Sequence, residues 1–377
     1  MNDEYYVDRE QSQVKHRVLE RYLQAFAPII GSRFDEIVYV DCMAGPWESK
    51  DQAHHDTSFH TAISVLRECK NRGRCRRVRA LLIEADAERY ALLEAYGKSV
   101  HDIEVATERW DFTEHIGDIV SFAKRSKSSF PFFFIDPTGW KEIRPSVISP
   151  ILRADPGEVL INFMTSWIKR FFDDQQKPFH ELFGKGELER LRSLAGDELE
   201  DEFVNVYAAR LRSEGHYTYS CAIPIMMPDR DDIHYHLIYG TRSFKGLQEF
   251  KRTEEVSIRF MHELRASAQQ RREEEASGQA FLLPASETYR ERRFRLLNNR
   301  RKANARTAIT KVLQTRRTVP YSSLYEESMQ FATVTNDDLR EWIEGWQRAG
   351  VIRYVNWTKG QKVPRPETII EVTGAIG

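Results

Sequence analysis

Four carboxylates stand at or just beyond the points where strand-like runs stop. Asp41 ends Glu36-Ile-Val-Tyr-Val, Glu84 ends Val78-Arg-Ala-Leu-Leu-Ile, Asp111 follows Ile103–Thr107, and Asp136 ends Pro131-Phe-Phe-Phe-Ile. Ligands of open α/β sheets bind outside the carboxyl ends of the strands, so this spacing predicts one acid-lined cleft. Asp41 opens the turn Asp41-Cys42-Met43-Ala44-Gly45-Pro46-Trp47. A glycine in such a turn lets the backbone approach a cofactor closely. Asp41, Ala44, Gly45 and Pro46 are therefore candidate cofactor-binding residues. Glu84 is placed to hydrogen-bond ribose hydroxyls. Asp111 can accept from an adenine amino group while Phe112 packs on the ring, although an acid there also serves as a helix N-cap.

The stretch Asp136-Pro137-Thr138-Gly139-Trp140 partly matches the [DNS]-P-P-[YFW] element of amino-group methyltransferases. In that pattern the acid and a backbone carbonyl hold the target amine, and the aromatic stacks on the base. Asp136, Pro137 and Trp140 form the candidate catalytic set. A plain turn fixed by Pro137 and Gly139 explains the same residues equally well. Lys15 and His16 fit a solvated helix face better than a cleft. His54-His55-Asp56…His60 and Cys69-x5-Cys75 lack zinc-ligand spacing, so no metal is expected. Neither a GxSxG elbow nor a Walker-type phosphate loop occurs. Asp86 stands where a D…ExK nuclease would need lysine.

These residues need a scaffold of alternating elements. Apolar positions from Val14 to Phe26 follow a helix period, and helix-like Thr61–Lys70 and His115–Ser126 alternate with the strand-like runs. Glu158–Phe163 reads as a fifth strand. Strands alternating with helices predict a mostly parallel, Rossmann-like α/β sheet. Residues 166–215 read as a helical insertion. Tyr217–Met227 and His234–Thr241 are joined by only six residues, Pro228–Ile233, too few for a parallel crossover, so they should pair antiparallel. By fold analogy, a parallel sheet ending in such a hairpin points to the class I methyltransferase fold.

Five segments, in the same order, carry a resemblance to a known family. They are Gln13-Val-Lys15-His16…Tyr22-Leu23, Tyr39-Val-Asp41-Cys-Met-Ala44-Gly45-Pro46, Leu82-Ile-Glu84, Phe134-Ile-Asp136-Pro137-Thr-Gly139 and Leu237-Ile-Tyr-Gly-Thr241. Over about residues 10–250 the chain resembles the three-Cys-motif partner protein (TcmP) family. The resemblance implies a methyltransferase-like fold and a functional link to a separate radical-SAM-like protein carrying three cysteines. This chain has no CxxxCxxC of its own.

The net charge of −1 hides an asymmetry. Arg290–Gly377 holds 17 Lys and Arg against 9 Asp and Glu, and the preceding 289 residues hold 39 against 48. Arg290, Arg292, Arg293, Arg295, Arg300, Arg301, Lys302 and Arg306 cluster with interleaved Tyr289 and Phe294, a pattern suited to phosphates and bases. A solvated helical linker is the competing account. Three short helices, Ala303–Gln314, Ser322–Met329 and Thr335–Ala349, precede strand-like Val351–Trp357 and Glu367–Val372. That order suggests a winged helix-turn-helix, although Asp337, Asp338, Glu341 and Glu344 suit its third helix poorly to a DNA groove.

The expected division is an α/β domain at residues 1–270, a basic linker at 271–302 and a winged helix at 303–377. The four cysteines make no disulfide framework, and neither a membrane span nor a signal peptide is visible, so a cytoplasmic protein is expected. The leading expectation is a methyltransferase that uses S-adenosylmethionine and acts on nucleic acid, DNA or RNA. The alternative is a non-catalytic nucleic-acid-binding partner module whose cofactor turn is filled by Trp47.

Overall fold

The computed structural model describes residues 3–45, 49–51, 54–172, 176–279 and 291–376. The chain divides into two compact units, Met1–Ser220 with Pro224–Arg290, and Glu291–Gly377 with the short piece Cys221–Ile223. No helix among the described residues is long and apolar enough to cross a membrane.

The first unit is built on seven strands: β1 Glu36–Asp41, β2 Arg77–Ile83, β3 Glu104–Glu108, β4 Ser129–Ile135, β5 Glu158–Phe163, β6 Tyr219–Met226 and β7 Ile233–Thr241. Their order is β3-β2-β1-β4-β5-β7-β6. Strands β1 to β5 pair in parallel, and β7 runs antiparallel to β5. This is the mostly parallel, Rossmann-like sheet with a terminal hairpin that strand spacing predicts. After β3 the chain returns to the other side of β1, so the carboxyl ends of β1 and β4 form the switch point where such sheets bind ligands. The β1 and β4 strands are buried along their whole length, as both-face coverage by helices requires.

Helices α1 Glu10–Gly31, α2 Ser58–Asn71, α3 Ala87–Ser99, α4 Ile116–Ala123 and α5 Pro145–Leu152 alternate with the strands. The region read as a helical insertion contains α6 Thr165–Phe171, α7 Gln176–Phe183, α8 Lys185–Arg192 and α9 Gly196–Gly215. A long helix, α10 Phe244–Ser277, follows the hairpin and packs on α1. Two polar knots lie in this interior. Glu158 accepts from Tyr22 Oη at 2.6 Å and Thr241 Oγ1 at 2.7 Å, tying β5 to α1 and β7. Arg79 pairs with Glu36 at 2.8 Å and lies over the Phe122 ring. Removing one partner of such a buried pair strands a charge, at a cost of roughly 3–5 kcal/mol.

The second unit holds α11 Arg292–Arg316, α12 Tyr321–Ser328 and α13 Asn336–Arg348. An antiparallel sheet β8-β10-β9 joins Thr318–Pro320, Ile369–Val372 and Ile352–Tyr354. The β8 strand was not evident in the sequence, because three residues cannot show a period. Within the stretch 271–302 expected as a linker, α10 runs to Ser277 and α11 begins at Arg292. Phe294, Leu297, Ala305, Ile309 and Leu313 make a buried stripe on α11. The cations between them mask its period.

Candidate functional site

Two clefts share one wall at the switch point. The smaller, about 190 Å³, is lined by Glu84, Asp111, Phe112 and Trp110, with Met43, Asp136 and Thr138 on its shared side. The larger, about 440 Å³, carries Met43, Asp136 and Thr138 too, together with Lys15, Ser58, Asn162, Trp167 and Tyr235. The sheet explains the sharing. Asp41 lies beside Phe134 in the β1–β4 register, so the loops that leave the two strands face each other.

On the β1 side, Asp41 is fully buried and accepts from Tyr39 Oη at 2.9 Å and Ser58 Oγ at 2.8 Å. Burial pushes its carboxyl up to about 6, against the pull of the Ser58 and Tyr39 hydrogen bonds. Asp41 thus anchors the start of α2 beneath the cleft and does not line it. Ala44 donates its amide to the Ile83 carbonyl at 2.7 Å, which pins the turn to β2. Gly45 then passes directly under Glu84, and a Cβ added there would lie 1.8 Å from Glu84 Oε2. A side chain there would displace the Glu84 carboxylate. Pro46 and Trp47, the other turn residues singled out from the sequence, lie outside the described residues.

Glu84 Oε1 accepts from the Asp86 amide at 2.8 Å, and Oε2 lies against Gly45, so its carboxylate is oriented at the end of β2. Asp111 accepts from Thr113 N at 2.8 Å and Thr113 Oγ1 at 2.7 Å, closing its own turn. The cap of α4 is instead His115, without a side-chain bond. Phe112 is buried, and Trp110 stacks on His115 with ring centroids 4.8 Å apart.

Asp136 stands in the shared wall. Its Oδ2 is paired with Lys15 Nζ, and its Oδ1 accepts from Asn162 Nδ2 at 2.6 Å. The β4–β5 register, Ile135 beside Ile161, places Asp136 and Asn162 side by side. Asn162 Oδ1 is buried with no hydrogen-bond partner among the described residues. Asn162 is thus held as a donor to Asp136 at the expense of its own Oδ1, an unmatched buried acceptor that costs roughly 1–3 kcal/mol. A carboxylate offers about four acceptor sites, and two remain after these bonds.

Two expectations about this cleft are corrected. Lys15 and His16 are not on a solvated face: Lys15 holds Asp136, and buried His16 bonds Tyr6 Oη at 2.9 Å. Trp140 is 4% exposed and stacks on Phe179 at 4.6 Å, among the helices after β5, and lines neither cleft. One extra residue between Pro137 and the aromatic carries the ring past the cleft and into the apolar layer. Pro137 does line the larger cleft. Asn162 and Trp167 were missed in the sequence reading. Only Asn162 left a signal, as the one polar residue in Val159-Leu-Ile-Asn-Phe163. Among the described residues no group of His, Cys, Asp or Glu could hold a metal ion.

In the second unit the basic cluster is dispersed by folding. Arg301 is buried, Lys302 pairs with Asp338 at 2.6 Å, and Arg306 lies over the Trp346 ring at 5.6 Å. Only Arg301 is withdrawn from the surface: Arg306 is exposed, and Lys302, Arg306 and Lys311 line one open pocket of about 720 Å³ beside Trp342. Arg292 and Arg295 are exposed, Arg293 and Arg300 are half-buried, and Arg290 lies outside the described residues. Three exposed cations, Lys359, Lys362 and Arg365, lie between β9 and β10.

No family model matches the sequence, and no curated protein matches it significantly. Among solved structures, a protein from Legionella pneumophila str. Philadelphia 1, described as DUF519, is similar over 64% of this chain and 90% of its own. Its sequence identity is 11% and its TM-score 0.37.

Proposed function

We propose that the first unit is a class I methyltransferase that binds S-adenosylmethionine and methylates an amine of a nucleic acid. The observation that carries this reading is the shared wall, which brings Asp136 to both clefts at once. The clefts together fall within the ~300–1,000 Å³ typical of small-molecule sites. The smaller cleft fits a nucleoside: Glu84 is oriented for ribose hydroxyls, and Asp111 and Phe112 stand where adenine would lie. The close passage of Gly45 under Glu84 supports this fit, since any side chain would displace the carboxylate. When bound, the cofactor supplies an electrophilic methyl group.

The chain's own residues do the rest. Asp136 accepts a hydrogen bond from the target amine with its remaining lone pairs. Lys15 and Asn162 hold that carboxylate in one orientation. Four of the five segments that resemble the TcmP family meet at these clefts, which supports membership and, with it, the link to a three-Cys partner. The second unit, three helices with a small antiparallel sheet, reads as a winged helix that holds the nucleic acid. Calorimetry with S-adenosylhomocysteine tests the reading. Wild type is expected to bind and Glu84→Ala to bind at least ~10-fold more weakly; no binding by wild type would sink it.

A further inference from the structure

Every charged group on the lining of the larger cleft is already matched or discharged. Arg9 donates to Asp56 at 2.6 Å, and Lys15 is paired with Asp136. Burial holds its two histidines neutral, lowering His16 and His234, and Lys15 pushes both further down. Such a lining has little attraction for a phosphate or a carboxylate. It suits a neutral group with hydrogen-bonding edges.

A flat surface waits at the same cleft. Trp167 is 46% exposed although it is a large apolar ring, and among the described residues its one ring neighbour is Phe171, 6.1 Å away on the same helix. It follows Asn162 by five residues, where the chain leaves β5 and enters α6. The two tryptophans have opposite fates: Trp140 is packed away on Phe179, and Trp167 is left at the cleft.

We infer that the larger cleft takes one unpaired nucleobase bearing an exocyclic amine, stacked on Trp167 with its amine at Asp136. This rests on the methyltransferase reading and names its substrate class: adenine, cytosine or guanine in a single strand or flipped from a duplex. A cleft of about 440 Å³ has room for one base and not for a base pair with its strands. An enzyme working on a base must take it out of the stack, and aromatic side chains supply the replacement surface. Asp136 is placed to accept from an exocyclic amine, which adenine, cytosine and guanine carry and which thymine and uracil replace with a carbonyl. Trp167 is the stacking residue of this site, and Asp136 the one that discriminates between bases.

The test uses the full chain saturated with S-adenosylhomocysteine and a short single strand that is abasic except for one central 2-aminopurine. Wild type should quench the 2-aminopurine fluorescence on binding. Trp167→Leu should lose the quench and on the order of 10-fold in affinity, and Trp167→Phe should keep part of both. A competitor with a central adenine should displace the probe, and one with thymine should not. Trp167 is exposed, so an unchanged unfolding midpoint is expected for both variants. Equal quenching by Trp167→Leu, or equal competition by thymine, would overturn the inference. Cofactor binding without any quench removes the base site and leaves the methyltransferase reading standing. Quenching by a protein that fails to bind the cofactor does the reverse.

Discussion

The cleft of the first unit and the α11 face of the second are both rich in charge, and folding treats them in opposite ways. In the cleft, charges from distant parts of the chain meet to orient one group: Lys15 and Asn162 converge on Asp136 from α1 and β5. Along α11, charges adjacent in sequence are separated: Arg301 turns inward, Lys302 is taken by Asp338, and Arg306 lies on Trp346. A run of cations measures charge along the chain, and a helix spreads that run around its whole circumference. A site is instead a convergence, and only tertiary structure makes one.

The largest effect is expected at the point of convergence. Asp136→Ala should reduce methyl transfer to an amine-bearing single strand by ~10²–10³-fold, the scale for loss of one preorganised polar group. Its affinity for S-adenosylhomocysteine should stay within roughly 2-fold. Wild-type turnover in this variant would break the comparison on the cleft side.

Next is a pH effect on the same unit. Asp41 has a folded carboxyl pKa raised to about 6 by burial, above its unfolded value. Below about pH 4 both states are protonated and the group is neutral to stability. As pH rises from 4 to 6 the unfolded state ionises first, so the native state loses stability, by up to about 3 kcal/mol from this group. Asp41→Asn should therefore gain stability over wild type as pH rises, and match it most closely near pH 4. Denaturant unfolding at several pH values measures this. A difference that does not change with pH would show that Asp41 ionises freely.

The α11 side is sharpened by salt. Replacing Lys359, Lys362 and Arg365 with Ala should flatten the log–log salt dependence of duplex binding by up to ~3 units, at about 0.9 per phosphate contact. Replacing Lys302 alone should leave that slope nearly unchanged, because it is already paired with Asp338. The reverse outcome would restore the α11 cluster as the phosphate-binding face. The smallest effect belongs to the Lys302–Asp338 pair itself. It is partly exposed, so Lys302→Ala should lower stability by only ~0.2–1 kcal/mol in thermal unfolding.

What the sequence determined by itself was local and periodic. Apolar runs ending in acids specified β1, β2 and β4, and a six-residue connection specified the antiparallel hairpin, because strand burial and chain reach are written in consecutive residues. The positions of Glu84 and Asp111 beside a cleft followed from the same rule about strand ends. Register and side-chain direction belonged to the tertiary structure. Asp136 found Asn162 only through the β4–β5 pairing, and Lys15 reached Asp136 from more than a hundred residues away because α1 packs across the strand ends. Trp140 and Trp167 look alike in sequence, each a few residues past a strand. Which one was buried depended on the helical layer around Phe179, a packing partner that no local pattern announces.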